Sequence, residues 1–227
     1  MLVLAILGVG ALIALIFGPQ FWIKWVMEKH AREQPEFPGT GGELARHLLD
    51  RAGLEDVKLE RIDGGDHYSA EEKTVRLSQR NFDGKSVTAV AVAAHEVGHA
   101  LQHQDNYAPL MLRQKLAGLC IIIERTGGIL LMATPVVFAV THSPAVLLAE
   151  LVLGLGILAS TVVIHIFTLP TEFDASFKRA LPILESYLRP EDMPGARQVL
   201  KAAAFTYVAS ALISILNIAR WLRILRF

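Results

Sequence analysis

Two histidines four residues apart, His95 and His99, enclose Glu96 in the run His95-Glu96-Val97-Gly98-His99. On a helix, residues at this spacing lie one turn apart on the same face. Two imidazoles so placed can hold a zinc ion, and Glu96 can reach a water bound to it. The chemistry implied is hydrolysis by a metal-activated water. The plainer alternative is a buried helix whose two histidines donate to backbone carbonyls. The surrounding residues, 86–104, weigh against it. Ahead of His95 the helix is made of Val87, Ala89, Val90, Ala91, Val92, Ala93 and Ala94, and each unsatisfied polar group buried there costs about 1–3 kcal/mol. A metal ion satisfies both imidazoles, and the small Ala94 and Gly98 leave room beside it.

The elements that must position this pentapeptide are set by composition. The chain has 227 residues, 52% of them hydrophobic, with a formal net charge of zero. Zero charge gives no indication of a nucleic-acid partner. The apolar residues come in blocks, the pattern of a membrane protein with a polar portion. A single cysteine, Cys120, excludes an intramolecular disulfide framework and a cysteine-rich metal site. Residues 2–17 are apolar without interruption and lead into Trp22, Lys24 and Trp25. A retained anchor fits better than a cleaved signal, because no Lys or Arg precedes Lys24 and no clear small-residue cleavage site follows.

From residue 28 the chain reads as a polar portion. Pro35 and Pro38 mark a linker. Leu44, Leu48 and Leu49 give a helix that Gly53 ends. Residues 57–62 and 73–78 alternate as two short strands separated by the turn Asp63-Gly64-Gly65-Asp66. Ser86 stands where an N-cap for the histidine helix belongs. Two further apolar blocks, 116–140 and 145–169, are joined by Thr141-His142-Ser143-Pro144 and form a hairpin. A weaker fourth block, 202–222, ends among Arg220, Arg223 and Arg226. Because the hairpin contains two spans, the polar regions flanking it share one side of the membrane. Its turn lacks basic residues while both polar regions carry several, so the positive-inside rule assigns them to the cytoplasm.

A catalytic zinc needs a third protein donor and an open position. Asp105 lies ten residues after His95, the metzincin spacing, but that arrangement needs a glycine at position 102, where the chain has Gln102. His103 continues the same face. An i, i+4, i+8 set rises about 12 Å along a helix, too far for one ion. His67 would have to reach in from a turn, and His165 lies in an apolar block. Glu172 is the favoured candidate: it follows the hairpin, on the side of the membrane assigned to His95. Thr171 with Asp174 has the form of a capping box that starts a helix here. A carboxylate in the first turn of a helix is also favourable without any metal.

The segments AAHEVGHALQ (93–102), LPTEFDASFKRA (169–180) and HYSAEEKTVRLS (67–78) together resemble the YugP-like neutral zinc metallopeptidases, small multi-pass bacterial membrane proteins. The resemblance runs from the N-terminal block to the C-terminal helix. More distantly, HExxH followed by a helix Glu resembles the gluzincins, including the HtpX-type membrane proteases. The resemblance implies a Zn2+ peptidase with His95, His99 and Glu172 as metal ligands and Glu96 as catalytic base. Such enzymes usually carry an acid four residues after the third ligand; here that position is Ser176, which takes the role more weakly. The strand 73–78 could pair its edge with an extended substrate, and Tyr68 or His67 could stabilise the oxyanion.

The expected fold is a mainly α membrane protein, with about four membrane helices and a small zincin-like α+β catalytic portion whose strands precede the HExxH helix. It forms one domain, 1–227: a membrane anchor (1–27), the HExxH-bearing portion (28–115), a transmembrane hairpin (116–169), the third-ligand segment (170–201) and a C-terminal membrane or interfacial helix (202–227). The expected partners are peptide or membrane-protein substrates and the lipid bilayer. The location is the cell membrane, multi-pass, with the active site on the cytoplasmic side, as would suit membrane-protein quality control. One alternative is a site-2-type intramembrane protease, which would need a later Asp motif within a span; the chain has none. Another is a catalytically silent zinc-binding membrane scaffold.

Overall fold

The computed structural model describes residues 2–212. In chain order its elements are α1 (Leu2–Lys29), α2 (Gly41–Arg51), β1 (Lys58–Ile62), β2 (His67–Ser69), β3 (Thr74–Ser78), α3 (Gln79–Asp83), α4 (Val87–Gln104), α5 (Ala108–Thr141) and α6 (Pro144–Phe173). A π-helical segment (Asp174–Ala180), α7 (Leu181–Leu184) and α8 (Met193–Ala204) follow.

Local chemistry accounts for the ends of these elements. Thr40 caps α2 by accepting from the Glu43 backbone N–H, while the Glu43 carboxylate accepts from the Thr40 N–H. The chain leaves α2 through Gly53 in the left-handed region, φ +67°. Ser86 caps α4 by accepting from the Ala89 N–H, as its position predicts. The sheet has the order β1-β3-β2. β1 and β3 are parallel, with Lys58 opposite Thr74 and Ile62 opposite Ser78. β2 and β3 are antiparallel, with Tyr68 opposite Val75. β2 follows the Asp63–Asp66 turn, in residues for which the sequence predicts no strand, and β3, expected to offer a free edge, is the central strand paired on both sides.

The packing divides the chain into two units. One comprises Gln20–Met111 and Leu169–Thr206. Its core is α4: Ala91, Ala93, Ala94 and Val97 are inaccessible, packed with Leu49 of α2, Val75 and Leu77 of β3, Leu184 of α7, and Val199 and Leu200 of α8. Small residues on α4 let elements approach from several sides, which is why a helix apolar all round is stable here. The other unit comprises Met1–Pro19, Leu112–Thr168 and Tyr207–Phe227, as far as these are described. It is helical and leaves many large apolar side chains uncovered, among them Ile121, Met132, Val136 and Val140 of α5 and Leu148, Val152 and Ile166 of α6.

The described residues do not support the four membrane helices expected from the sequence. Among the described residues no single helix is long and apolar enough to cross a membrane; only one pair bent by 40°, Ala108–Leu130 with Met132–Thr141, reaches the needed length and composition together. The second and third apolar blocks lie within α5 and α6, whereas the first and fourth run into the α4 core. The second half of α1 enters the α4 core, where Val26 is buried and the Met27 carbonyl accepts from the Thr88 hydroxyl. The fourth block begins inside α8, where Ala202, Ala203 and Ala204 are buried; its remainder, with Arg220, Arg223 and Arg226, lies outside the described residues. The cytoplasmic placement, which rested on counting spans, loses that support.

Candidate metal centre

His95 and His99 come from consecutive turns of α4, their ring centroids 4.7 Å apart. Glu172 comes from the last turn of α6. Its Oε2 stands 3.3 Å from His95 Nε2 and 3.5 Å from His99 Nε2. All three residues are buried, and one ligand atom from each falls within 4.8 Å of the others. Glu96, also buried, follows His95 on the same helix.

The tautomers of both rings follow from their outer partners. Ser176 Oγ lies 3.0 Å from the Leu200 carbonyl and 2.9 Å from His95 Nδ1. A carbonyl can only accept, so the single hydroxyl proton goes to Leu200 and the oxygen accepts from His95 Nδ1–H. The Gln102 amide nitrogen donates to the Thr171 carbonyl at 2.8 Å and to Asp174 Oδ1 at 2.9 Å. The reversed amide would aim an oxygen at two acceptors, so Gln102 Oε1 is fixed toward His99 Nδ1, 2.9 Å away, and accepts its proton. Both Nδ1 atoms are therefore protonated, and both Nε2 lone pairs point at the Glu172 carboxylate. Three lone pairs converging in a buried space need a cation or a proton between them. Two imidazole nitrogens and one carboxylate oxygen are a donor set suited to Zn2+, so the residues present fit that ion.

Asp174 closes the outer layer. It accepts from Gln102 and from Arg179 Nε at 2.8 Å, and Arg179 reaches Asp105, the residue capping α4, at 2.7 Å. Burial pulls the Asp174 carboxyl upward, but hydrogen bonds from Arg179 and Gln102, and the charges of Arg179 and Lys178, outweigh it and hold it below the usual carboxylate range.

Two backbone features bring α4 and α6 together. Gly98 packs against the Ala175 backbone: a Cβ there would stand 2.8 Å from the Ala175 carbonyl oxygen. The chain after Phe173 continues in π-helical winding through Asp174–Ala180. The capping box read from Thr171 and Asp174 is absent, because α6 runs through Pro170 and Thr171 to Phe173 without a new start. With the wider winding, Glu172, Asp174 and Ser176 all reach α4 side chains. Single-turn π segments are frequent at functional sites.

The family model described as "Putative neutral zinc metallopeptidase" matches residues 4–226. The chain belongs to that family. Zinc is accordingly its metal. Over 220 residues the metallopeptidase chain is 38% identical to a protein of Bacillus subtilis (strain 168) named "Putative membrane protease YugP", covering 94% of this chain and 93% of the relative. No solved structure matches.

Of the candidates for a third donor in this metallopeptidase, Glu172 is the one brought to the histidines. Asp105 is engaged by Arg179. His103 Nδ1 meets the Tyr68 hydroxyl at 2.8 Å. His67 is exposed on β2 beside the Gly65 carbonyl, its strand position alternating with Tyr68. His165 lies in the other unit, its ring tilted against that of Tyr207. Sequence reasoning missed Gln102 as a partner of the site. A buried amide three residues beyond a histidine, on the same helical face, was the available signal.

Proposed function

We propose that this family member is a membrane-associated zinc endopeptidase of the gluzincin type, in which His95, His99 and Glu172 hold the metal and Glu96 is the general base. The observation that carries the reading is the convergence of two Nε2 lone pairs and one carboxylate in a buried space. When bound, zinc would supply Lewis acidity that lowers the pKa of water to about 7. Glu96 takes a proton from the attacking water as its oxygen bonds to the peptide carbonyl carbon. The C–N bond then breaks, and Glu96 returns the proton to the leaving amine. Ser176 and Gln102 hold the two rings so that neither Nε2 carries a proton.

An extended substrate adds to the free edge of β2. Both sides of β3 are occupied, whereas β2 is an outer strand, and it is tied to α4 through Tyr68 and His103. A cavity of about 240 Å3 bordered by Leu54, Val57, Tyr68, Ala100 and His103 adjoins it and can take a substrate side chain. Membrane association is supported by the uncovered apolar side chains of α5 and α6 and by the relative's name. It directs the enzyme toward membrane-protein or surface-near substrates, as in quality control.

The test is hydrolysis of an unstructured protein substrate by the detergent-purified chain, compared with Glu96→Gln. The variant should retain bound zinc and lose activity by at least about a hundredfold. Equal turnover by both proteins would refute the assignment of Glu96. Zinc binding without turnover in the wild type would favour a silent scaffold. Recovery of the protein in the soluble fraction after cell lysis without detergent or carbonate would remove the membrane reading.

A further inference from the structure

Gln102 is wholly buried, yet both of its amide protons and its oxygen are engaged, each with a different part of the centre. Its oxygen holds His99. One amide proton goes to the Thr171 carbonyl, directly before Glu172 in the chain, and the other goes to Asp174. The side chain therefore bridges α4, which carries both histidines, to the segment that carries the remaining donor.

We propose that Gln102 is a positioning residue for the metal: it fixes the His99 ring with Nε2 toward Glu172 and sets the register of the Thr171–Glu172 backbone against α4. The proposal rests on the reading of His99 and Glu172 as zinc donors. Direct histidine–carboxylate contacts orient rings in many metal sites. Here an amide stands between ring and carboxylate. It transmits the orientation of Asp174 to His99, and Asp174 is itself held by Arg179, which Asp105 ties back to the end of α4. The path His99–Gln102–Asp174–Arg179–Asp105 thus leaves α4 and returns to it. A displaced Gln102 would strand the Thr171 carbonyl and the His99 N–H, two buried groups without partners, and the His99 ring would be free to rotate.

The experiment uses the full chain in detergent, stripped of metal. It measures zinc affinity by competition with a chromogenic chelator, the visible absorption of the cobalt(II) form, and thermal melting of the metal-free protein. Gln102→Met keeps the volume and removes every hydrogen bond. It should weaken zinc binding about 10- to 100-fold and shift the cobalt bands. Gln102→Glu still accepts from His99 but cannot donate to Thr171 or Asp174, so it should also weaken zinc. Adding Asp174→Asn to it restores an amide opposite the new carboxylate and should recover part of the affinity, a rescue that loss of packing alone would not produce. If Gln102→Met does not fold, the isosteric Glu pair still decides the matter. Zinc affinity within about twofold of wild type in Gln102→Glu with unchanged cobalt bands, or a double variant binding no more tightly than Gln102→Glu, overturns the proposal. His99→Ala and Glu172→Ala are measured alongside. If neither lowers bound zinc, the ligand assignment itself fails. If both do while the Gln102 variants bind normally, only the role of Gln102 is lost.

Discussion

Ser176 accepts the Nδ1 proton of His95 at 2.9 Å while donating its own hydroxyl proton to the Leu200 carbonyl. One small side chain thereby decides which nitrogen of His95 faces the metal position, and joins α4 to α8 as it does so. Ser176→Ala should leave the fold intact and weaken zinc binding by about tenfold, the lower end of such effects. Chelator competition measures it; an unchanged dissociation constant would mean that packing alone orients His95.

Glu172 supplies the only carboxylate among the three convergent donors. Glu172→Ala should abolish stoichiometric zinc in the purified protein. Glu172→Asp, shorter by one methylene, should bind metal weakly and show less activity than wild type. Metal analysis by mass spectrometry reads both, and full zinc content in the alanine variant would exclude Glu172 as a ligand.

Gly98 has no space for a side chain, with the Ala175 carbonyl oxygen 2.8 Å from where a Cβ would stand. Gly98→Ala must push the π-helical segment away from α4 and carry Ser176 and Asp174 with it. The expected cost is about 1–3 kcal/mol, seen as a lower melting temperature together with weaker zinc binding. A stable variant with normal metal affinity would show that the two segments can separate without consequence for the site.

Tyr68 gives the protein an alkaline limit. Burial, helped by the negative charge of Asp56, pushes its hydroxyl up to about 12 from an ordinary value of 10. The unfolded chain therefore loses this proton first. The contribution to stability is fully present below pH 10, falls as pH rises from 10 to 12, and is lost above that. Tyr68→Phe should flatten the melting temperature against pH in this range. An equally steep decline in the variant would assign the alkaline loss to other groups.

What could be read from the chain before folding was the part written in local patterns. The pentapeptide, the Ser86 cap, the α2 helix ended by Gly53 and two of the three strands each depend on spacing within a few residues. Glu172 was reached by counting spans. It does meet the histidines, although among the described residues no single helix is long and apolar enough to be one of the spans in that count. What local patterns do not contain is partner choice. Nothing in residues 73–78 announces that β3 pairs on both sides, because β2 is only three residues long and shares its stretch with turn residues. The π-helical winding is likewise invisible: Thr171 and Asp174 match a helix start, yet the packing of Gly98 against Ala175 favours continuation of α6. Locally, Gln102 stands out only as the position where a metzincin needs glycine, since its partners lie 69 and 72 residues away.

The sequence separation across the centre bears on how the enzyme is made. His95 and Ser176 are 81 residues apart, and Leu112–Thr168 between the two halves belongs to the other unit. At a synthesis rate of about 5–20 residues per second, the histidine helix leaves the ribosome on the order of 4–16 s before Ser176 does. During that interval the nascent chain offers two imidazoles, with Gln102 beside His99, but without the Glu172 carboxylate or Ser176, which orients His95. The three convergent donors are thus complete only late in biosynthesis, after the intervening apolar helices have been made.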